Sequence, residues 1–257
     1  MVAQEADENT FKLAIKAATA GADLLADRWQ KPQTALAEMD HDIKLAADRE
    51  AESAILAVLD ESPWPRLAEE SGVQGDCTAK DALYWVVDPL DGTINFSRGI
   101  PFCCVSVALC RGDTPLLGVI CDFIHQETFS GWVGRGAWCN GKPIGVSAAQ
   151  TARRGLLGMG HPLGFEYDTA GLAAIYADQR RFSKVRQIGS AALLLAWVAS
   201  GRIDAYLEDD IMFWDIAAGA ALVKAAGGWV AMVPSIRGGW ARKIRAAASP
   251  AVWETTA

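Results

Sequence analysis

The run Trp85-Val86-Val87-Asp88-Pro89-Leu90-Asp91-Gly92-Thr93-Ile94-Asn95-Phe96 carries an apolar segment straight into two carboxylates, a glycine turn and a hydroxyl. Asp88 and Asp91 can face one small volume from a tight loop, where mutual repulsion makes them costly unless a cation sits between them. Gly92 permits close backbone approach, and Thr93 puts a hydroxyl at the start of a short helix whose free N–H groups favour an anion. The chemistry suggested is that of a metal ion and a phosphate. The same residues also have a plainer use, since Asp-Gly is a common turn dipeptide and Asp-Pro a common turn opener.

Two further acidic stations adjoin apolar segments. Leu67-Ala68-Glu69-Glu70-Ser71-Gly72 sets two acids in a stretch too short and broken to be a helix face, which by itself also fits a solvated loop. Glu208-Asp209-Asp210-Ile211-Met212-Phe213-Trp214-Asp215 brings acids to the mouth of an apolar helix, where Asp215 would serve equally as an N-cap. Hard, oxygen-preferring cations need such stations, and Mg²⁺ takes a few carboxylates plus water and phosphate oxygens.

Composition narrows the alternatives. The 257 residues suffice for one large domain or two intimate ones, with no linker, low-complexity tract or fixed-period repeat. With 31 acidic against 24 basic residues the net charge is −7, and no basic stripe invites nucleic acid. The polar, acidic stretch from Met1 to Thr10 reads as neither signal nor transit peptide, and no apolar run reaches the roughly 20 residues that span a bilayer. A cytoplasmic protein without membrane partners is expected. Cys77, Cys103, Cys104, Cys110, Cys121 and Cys139 lack zinc-ligand or disulfide spacing and read as reduced core residues, while His41, His125 and His161 are scattered and read as surface or loop residues.

The elements that must position the acids are legible from periodicity. Phe11, Ala14, Ile15, Ala18, Ala22, Leu25 and Trp29 form a helical stripe that Pro32 limits. A second helix runs from about Ala47 to Leu59, with Ala51, Ile55, Val58 and Leu59 inward. Strands follow over Leu83–Val87, Cys103–Cys110, Leu116–Asp122 and Glu127–Val133, closely spaced as in antiparallel hairpins; Pro89, lacking an N–H, should end the first ladder. After Gly141, a helix over Ser190–Ser200, a strand over Ile203–Leu207 and a helix over Ile216–Ala226, stopped by Gly227-Gly228, give an alternating pattern. Helices on both sides of a run of strands argue for layered α and β structure.

The order Glu69-Glu70-Ser71, then Asp88-Pro89-Leu90-Asp91-Gly92-Thr93-Ile94-Asn95-Phe96, then Trp214-Asp215-Ile216-Ala217-Ala218-Gly219 resembles the inositol monophosphatase family of Mg²⁺-dependent, lithium-sensitive phosphatases. Gly189-Ser190-Ala191-Ala192 and Ala205-Tyr206-Leu207-Glu208 match between the motifs, so the resemblance covers nearly the whole chain. It implies an α/β layered αβαβα sandwich in one unit over residues 1–257, with a metal- and phosphate-binding half (1–140) and a second α/β half (141–257), usually as a homodimer.

The resemblance also implies roles. Glu69, Asp88, Thr93 and the Leu90 carbonyl would surround one Mg²⁺; Asp88, Asp91 and Asp215 would hold a second, and a third ion is left open. Asp91, Gly92, Thr93, Gly189, Ser190, Ala191, Glu208 and Asp215 would contact the substrate or its phosphate. Glu69 and an Asp48–Thr93 pair would orient or deprotonate the attacking water. The chain departs from the family at Asp42-Ile43-Lys44-Leu45, where many relatives carry threonines; neither Lys31 nor Lys44 is in register with the family's early lysine, and Lys224-Ala225-Ala226 lacks the glutamate usual before the glycine pair.

The implied activity is hydrolysis of a small phosphorylated metabolite, with inositol 1-phosphate leading and histidinol phosphate or fructose 1,6-bisphosphate as alternatives. A 3′-phosphoadenosine nucleotide fits less well, for want of a base-stacking insertion. A non-catalytic metal-binding relative would be expected to have lost a ligand, yet Glu69, Asp88, Asp91, Thr93 and Asp215 are all present. A nucleotide-binding regulatory module would need a glycine-rich loop with lysine, and no Gly-x-x-x-x-Gly-Lys-Ser/Thr occurs.

Overall fold

The structure is a computed structural model that describes residues 6–31, 35–39, 42–79, 81–161 and 168–254. Helix α1 (Glu8–Arg28) starts at Asp7, whose carboxylate accepts the Thr10 N–H at 2.8 Å, and buries Ala14, Ala18, Ala22 and Leu25 from the expected stripe. Pro32 and His41 lie outside the described residues. A hairpin of β1 (Ala35–Met39) and β2 (Asp42–Leu45), unassigned by periodicity, leads into α2 (Ala46–Leu59), which buries Ala51, Ile55 and Leu59.

The first large sheet comprises β3 (Arg66–Ala68), β4 (Gly72–Gln74), β5 (Leu83–Asp91), β6 (Cys104–Arg111), β7 (Thr114–Asp122), β8 (Glu127–Trp132), β9 (Gly136–Cys139) and β10 (Lys142–Ile144), with α3 (Thr93–Arg98) between β5 and β6. Its order is β10-β9-β8-β7-β6-β5-β3-β4, antiparallel as the close spacing predicted except at the parallel β3–β5 pair. One expectation fails here. Pro89 does not end the β5 ladder: the register shifts between Asp88 and Asp91, and pairing resumes at Asp91 opposite Cys104. A bulge accommodates the missing donor and re-aims the side chains around it.

The second sheet contains β11 (Leu156–Met159), β12 (Lys184–Arg186), β13 (Ala205–Met212), β14 (Trp229–Pro234) and β15 (Ala241–Ala247), in the order β12-β11-β13-β15-β14. Three helices belong to this part: α4 (Thr169–Gln179), α5 (Ala191–Ala199) and α6 (Phe213–Ala225). The α5 and α6 pair is packed between the two sheets, α1 and α2 cover the far face of the first sheet, and Ile175 of α4 packs on the far face of the second. The result is the expected αβαβα order of layers. Leu193, Leu194, Leu195, Val198, Phe213, Ile216 and Leu222 fill the middle layer, each no more than 1% exposed. Close approach of α6 to the first sheet depends on Gly118, where an added Cβ would stand 2.3 Å from the Ala218 carbonyl oxygen.

Five of the six cysteines are buried, Cys139 is half-buried, and all are free thiols as expected. Among the described residues, no helix is long and apolar enough to cross a membrane.

Candidate active site

Acids from all three stations meet in one cavity of about 470 Å³ at the ends of β3, β5 and β13 and the starts of α3, α5 and α6. Glu69 follows β3 directly and is held there by its own N–H, which donates to the Val87 carbonyl at 3.1 Å. Asp88 is 1% exposed at the β5 bulge, and its Oδ1 accepts the Leu90 N–H at 2.9 Å. Its Oδ2 is buried and meets no donor among the described residues. The Asp88 carboxyl lies instead within hydrogen-bonding range of the Glu69 and Asp215 carboxyls.

Burial first, and then the charges of Glu69, Asp215 and Asp91, push the Asp88 carboxyl well above its ordinary range. Asp215 is raised in the same way by burial and then by Glu69, Asp91 and Glu208. Buried acids packed against one another in this way resist ionisation unless positive charge joins them.

Asp91 is treated differently. Its Oδ2 accepts the Ser190 hydroxyl at 2.6 Å and the Ala192 N–H at 2.7 Å, so the carboxylate sits on the N-terminus of α5. Ser190 also caps that helix by accepting the Leu193 N–H at 3.3 Å. Burial raises Asp91 to about 6, while the bonds from Ser190, Ala192 and Ala191 pull it back. Free N–H groups and the helix dipole there favour the charged form.

Gly92 takes φ +90° and caps α3 in the left-handed region; a Cβ there would stand 2.7 Å from the Phe102 carbonyl and 3.2 Å from that of Gly189. Thr93 Oγ1 lies 3.0 Å from the Leu90 carbonyl and 3.4 Å from Asp48 Oδ1, which realises the expected Asp48–Thr93 pair. Asp48 is buried in the first turn of α2, and its other oxygen accepts the Leu45 N–H. The Asn95 amide ties this corner together by donating to the carbonyls of Phe102 and Ile188, each at 2.7 Å.

Glu208 is buried on β13 and accepts the Tyr206 hydroxyl. Burial raises it to about 7, a rise that the Tyr206 bond opposes. It is therefore not a member of a solvated acidic run, because it belongs to the cavity wall with Gly189, Ser190 and Ala191. Glu70, also open to a solvated reading, is turned inward instead: its side chain is 5% exposed, 3.9 Å from Arg49. The N-cap reading of Asp215 needs correction. Met212 occupies the cap position, α6 begins at Phe213, and Asp215 accepts the Met212 N–H at 3.2 Å from within the first turn.

Some cavity residues escaped sequence reasoning. His161, assigned to a loop or surface, does lie beyond the end of β11 but lines this cavity, with its Nε2 2.8 Å from the Gln187 amide. Arg237 and Trp214 line it as well. Only Trp214 lay in a recognised motif, and an isolated histidine or arginine carries no pattern that marks it. His125 fits its expected place, half-exposed at the β7–β8 turn with Nδ1 2.8 Å from Asp122.

Among the described residues, no set of three or more His, Cys, Asp or Glu side chains is already spaced as metal ligands. The chemistry of the donors nevertheless fits Mg²⁺. They are all oxygen, several are buried, one meets no donor among the described residues, and positive charge between Glu69, Asp88, Asp91 and Asp215 would relieve the repulsion that helps raise Asp88 and Asp215.

A sequence model of the inositol monophosphatase family matches residues 6–250. The chain is 37% identical over 221 residues to the Nus factor SuhB of Xylella fastidiosa, covering 84% of this chain and 79% of that one. It is 40% identical over 189 residues to the inositol-1-monophosphatase of Mesorhizobium japonicum, covering 72% and 70%. The structure of the extragenic suppressor protein SuhB from Bartonella henselae matches with a TM-score of 0.82 and 30% identity, covering 93% of this chain and 94% of that chain. That of inositol monophosphatase from Anabaena matches with a TM-score of 0.80 and 34% identity, covering 94% and 91%. With the layered fold, the register of the acidic stations and these matches in agreement, the chain belongs to the inositol monophosphatase family.

Proposed function

We propose that the protein is a Mg²⁺-dependent hydrolase of small phosphate monoesters, acting on a polyol, sugar or amino-alcohol phosphate of the size that inositol 1-phosphate represents. The observation that carries this reading is the Asp88 carboxyl, buried with an oxygen that meets no donor among the described residues and pressed against Glu69 and Asp215. Glu69, Asp88, the Leu90 carbonyl and Thr93 would hold one ion, and Asp88, Asp91 and Asp215 another. Bound there, Mg²⁺ would neutralise phosphoryl oxygens, lower the pKa of water and stabilise the leaving oxygen.

The chain's own residues supply position and proton control. Asp48 orients the Thr93 hydroxyl, and Gly92, Thr93 and Ile94 at the start of α3 line the cavity, where free first-turn N–H groups would donate to phosphoryl oxygens. Glu69, beside them, is the candidate to accept the proton of the attacking water. Ser190 and the α5 N-terminus fix Asp91, and Tyr206 fixes Glu208 as an acceptor for the alcohol end of the substrate.

The Xylella fastidiosa relative is called a Nus factor, a different class of role. A net charge of −7 offers no general attraction to nucleic acid, and a protein relieved of catalysis has no need of a complete, mutually repelling acid set. The test is phosphate release from inositol 1-phosphate, histidinol phosphate, fructose 1,6-bisphosphate and 3′-phosphoadenosine 5′-phosphate, with Mg²⁺ and with excess chelator. Release that needs Mg²⁺ and vanishes in Asp91→Asn is expected; no Mg²⁺-dependent release from any of them would contradict the reading.

A further inference from the structure

Alternation along β13 turns Tyr206 and Glu208 to one face of the second sheet, while Ala205 and Leu207 pack on the other with Leu157 and Met159. Strand β11 runs parallel beside β13, with Gly158 opposite Tyr206 and Met159 opposite Leu207. The next position in that register places Gly160, just past the end of β11, beside Glu208 and on the same face. The two glycines leave this face of β11 bare where it reaches the cavity, and neighbouring groups fill the space. A Cβ on Gly158 would stand 2.8 Å from Ile203 Cδ1 and 2.9 Å from Leu194 Cδ2. A Cβ on Gly160 would stand 2.1 Å from Glu208 Oε2 and 2.4 Å from both its Cδ and its Oε1, so the carboxylate occupies the space that a side chain at 160 would take.

Neither the backbone nor the packing of the fold requires glycine at 160. Its φ is not in the left-handed region, so other residues can adopt the same conformation. The group in the way of a Cβ is the far end of a flexible side chain, which can swing aside. What glycine preserves there is the place of one carboxylate. Tyr206, fully buried, holds the same carboxylate from its own strand by donating its hydroxyl to Oε2. Oε1 is then the oxygen left for a substrate hydroxyl. Gly160 and Glu208 both line the cavity.

We propose, on the basis of the phosphatase reading and of Glu208 as its alcohol-end acceptor, that Gly160 is a positioning residue: its missing side chain is the seat of the Glu208 carboxylate, which Tyr206 clamps in place. A side chain at 160 displaces the acid rather than the fold, and the alcohol end of the substrate loses its acceptor.

The experiment measures kcat and KM for inositol 1-phosphate with the Mg²⁺-loaded full chain, together with melting temperatures, for wild type, Gly160→Ala, Glu208→Ala and the double variant. Gly160→Ala is expected to raise KM by about tenfold with kcat held within about twofold, the signature of a lost hydrogen bond made equally in ground and transition states. Glu208→Ala should do the same. Adding Gly160→Ala to Glu208→Ala should then change KM by less than about twofold, because no carboxylate remains to be displaced. The double variant should melt at or above Glu208→Ala, since alanine restricts the unfolded chain and meets no clash. An unchanged KM in either single variant, losses that multiply in the double variant, or a double variant that melts well below Glu208→Ala overturns the assignment and leaves the phosphatase reading intact. A wild type that releases no phosphate from inositol 1-phosphate also overturns it, and the other substrates of the panel then decide the phosphatase reading separately.

Discussion

At the scale of single residues, the site is a collection of charges that oppose folding and await a cation. Asp88 shows this most clearly, since burial and three neighbouring acids hold its carboxyl well above the ordinary range. Asp88→Asn should therefore raise the melting temperature of the metal-free protein near pH 8 by several degrees, at about 2–4 °C per kcal/mol for a domain of this size, while abolishing phosphate release. Calorimetric melting of the two proteins in chelator checks it; a variant that melts lower would show that Asp88 is paid for by contacts other than a cation. These acids were legible in the sequence because they stand in three stations of fixed order. His161 and Arg237 were not, because their presence in the cavity depends on two loops that bring distant segments together.

At the scale of elements, two contacts among those that tie the first sheet to α5 and α6 bear directly on the site. Gly118 of β7 lies under α6, and an added Cβ would come 2.3 Å from the Ala218 carbonyl, a backbone atom that cannot swing aside. Gly118→Val should cost about 1–3 kcal/mol or more by overpacking, seen as a lower melting temperature, with the remaining folded protein showing reduced activity because α6 carries Asp215. Ser190 caps α5 and bonds Asp91 with the same hydroxyl. Ser190→Ala should cost about 1–2 kcal/mol of stability and lower kcat, a loss that Ser190→Thr should partly restore. Most elements could be read from period and spacing, α1 and α2 to within a few residues. Pro89 misled because a missing N–H ends a ladder only when no bulge absorbs it, and β5 absorbs it. Asp215 misled because a carboxylate in the third position of a helix can bond back to the cap residue, and so looks in sequence like the cap itself.

For the whole molecule, the acids make stability depend on pH in a direction opposite to that of most salt-bridged proteins. Glu208 rises from 4.5 to about 7 and Asp91 from 3.8 to about 6, each chiefly through burial. Below the ordinary values both folded and unfolded chains hold these protons, and no penalty exists. Between the ordinary and the raised values only the folded chain retains them, so the metal-free protein loses stability as pH rises, and the loss is complete above about 7. Melting in chelator should accordingly give a higher transition temperature at pH 5.5 than at pH 8, a difference that narrows in Glu208→Gln. Mg²⁺ should reverse the trend, raising the transition more at pH 8, where the acids are free of protons. The layered order of the fold was legible because helices flank the run of strands, whereas the joining of β13 to β11 and β15 in one mixed sheet was not, since strand order is set by packing between distant segments.

The central claim is that this acid cluster hydrolyses phosphate monoesters only when Mg²⁺ joins it. The most direct measurement is phosphate release from the best substrate of the panel as Mg²⁺ is titrated into chelator-treated protein, for wild type and Asp88→Asn. Saturable activation of the wild type, with the variant reduced at least about a thousandfold at every concentration, is the predicted result. Release that is independent of Mg²⁺, or that survives in Asp88→Asn, would contradict the account.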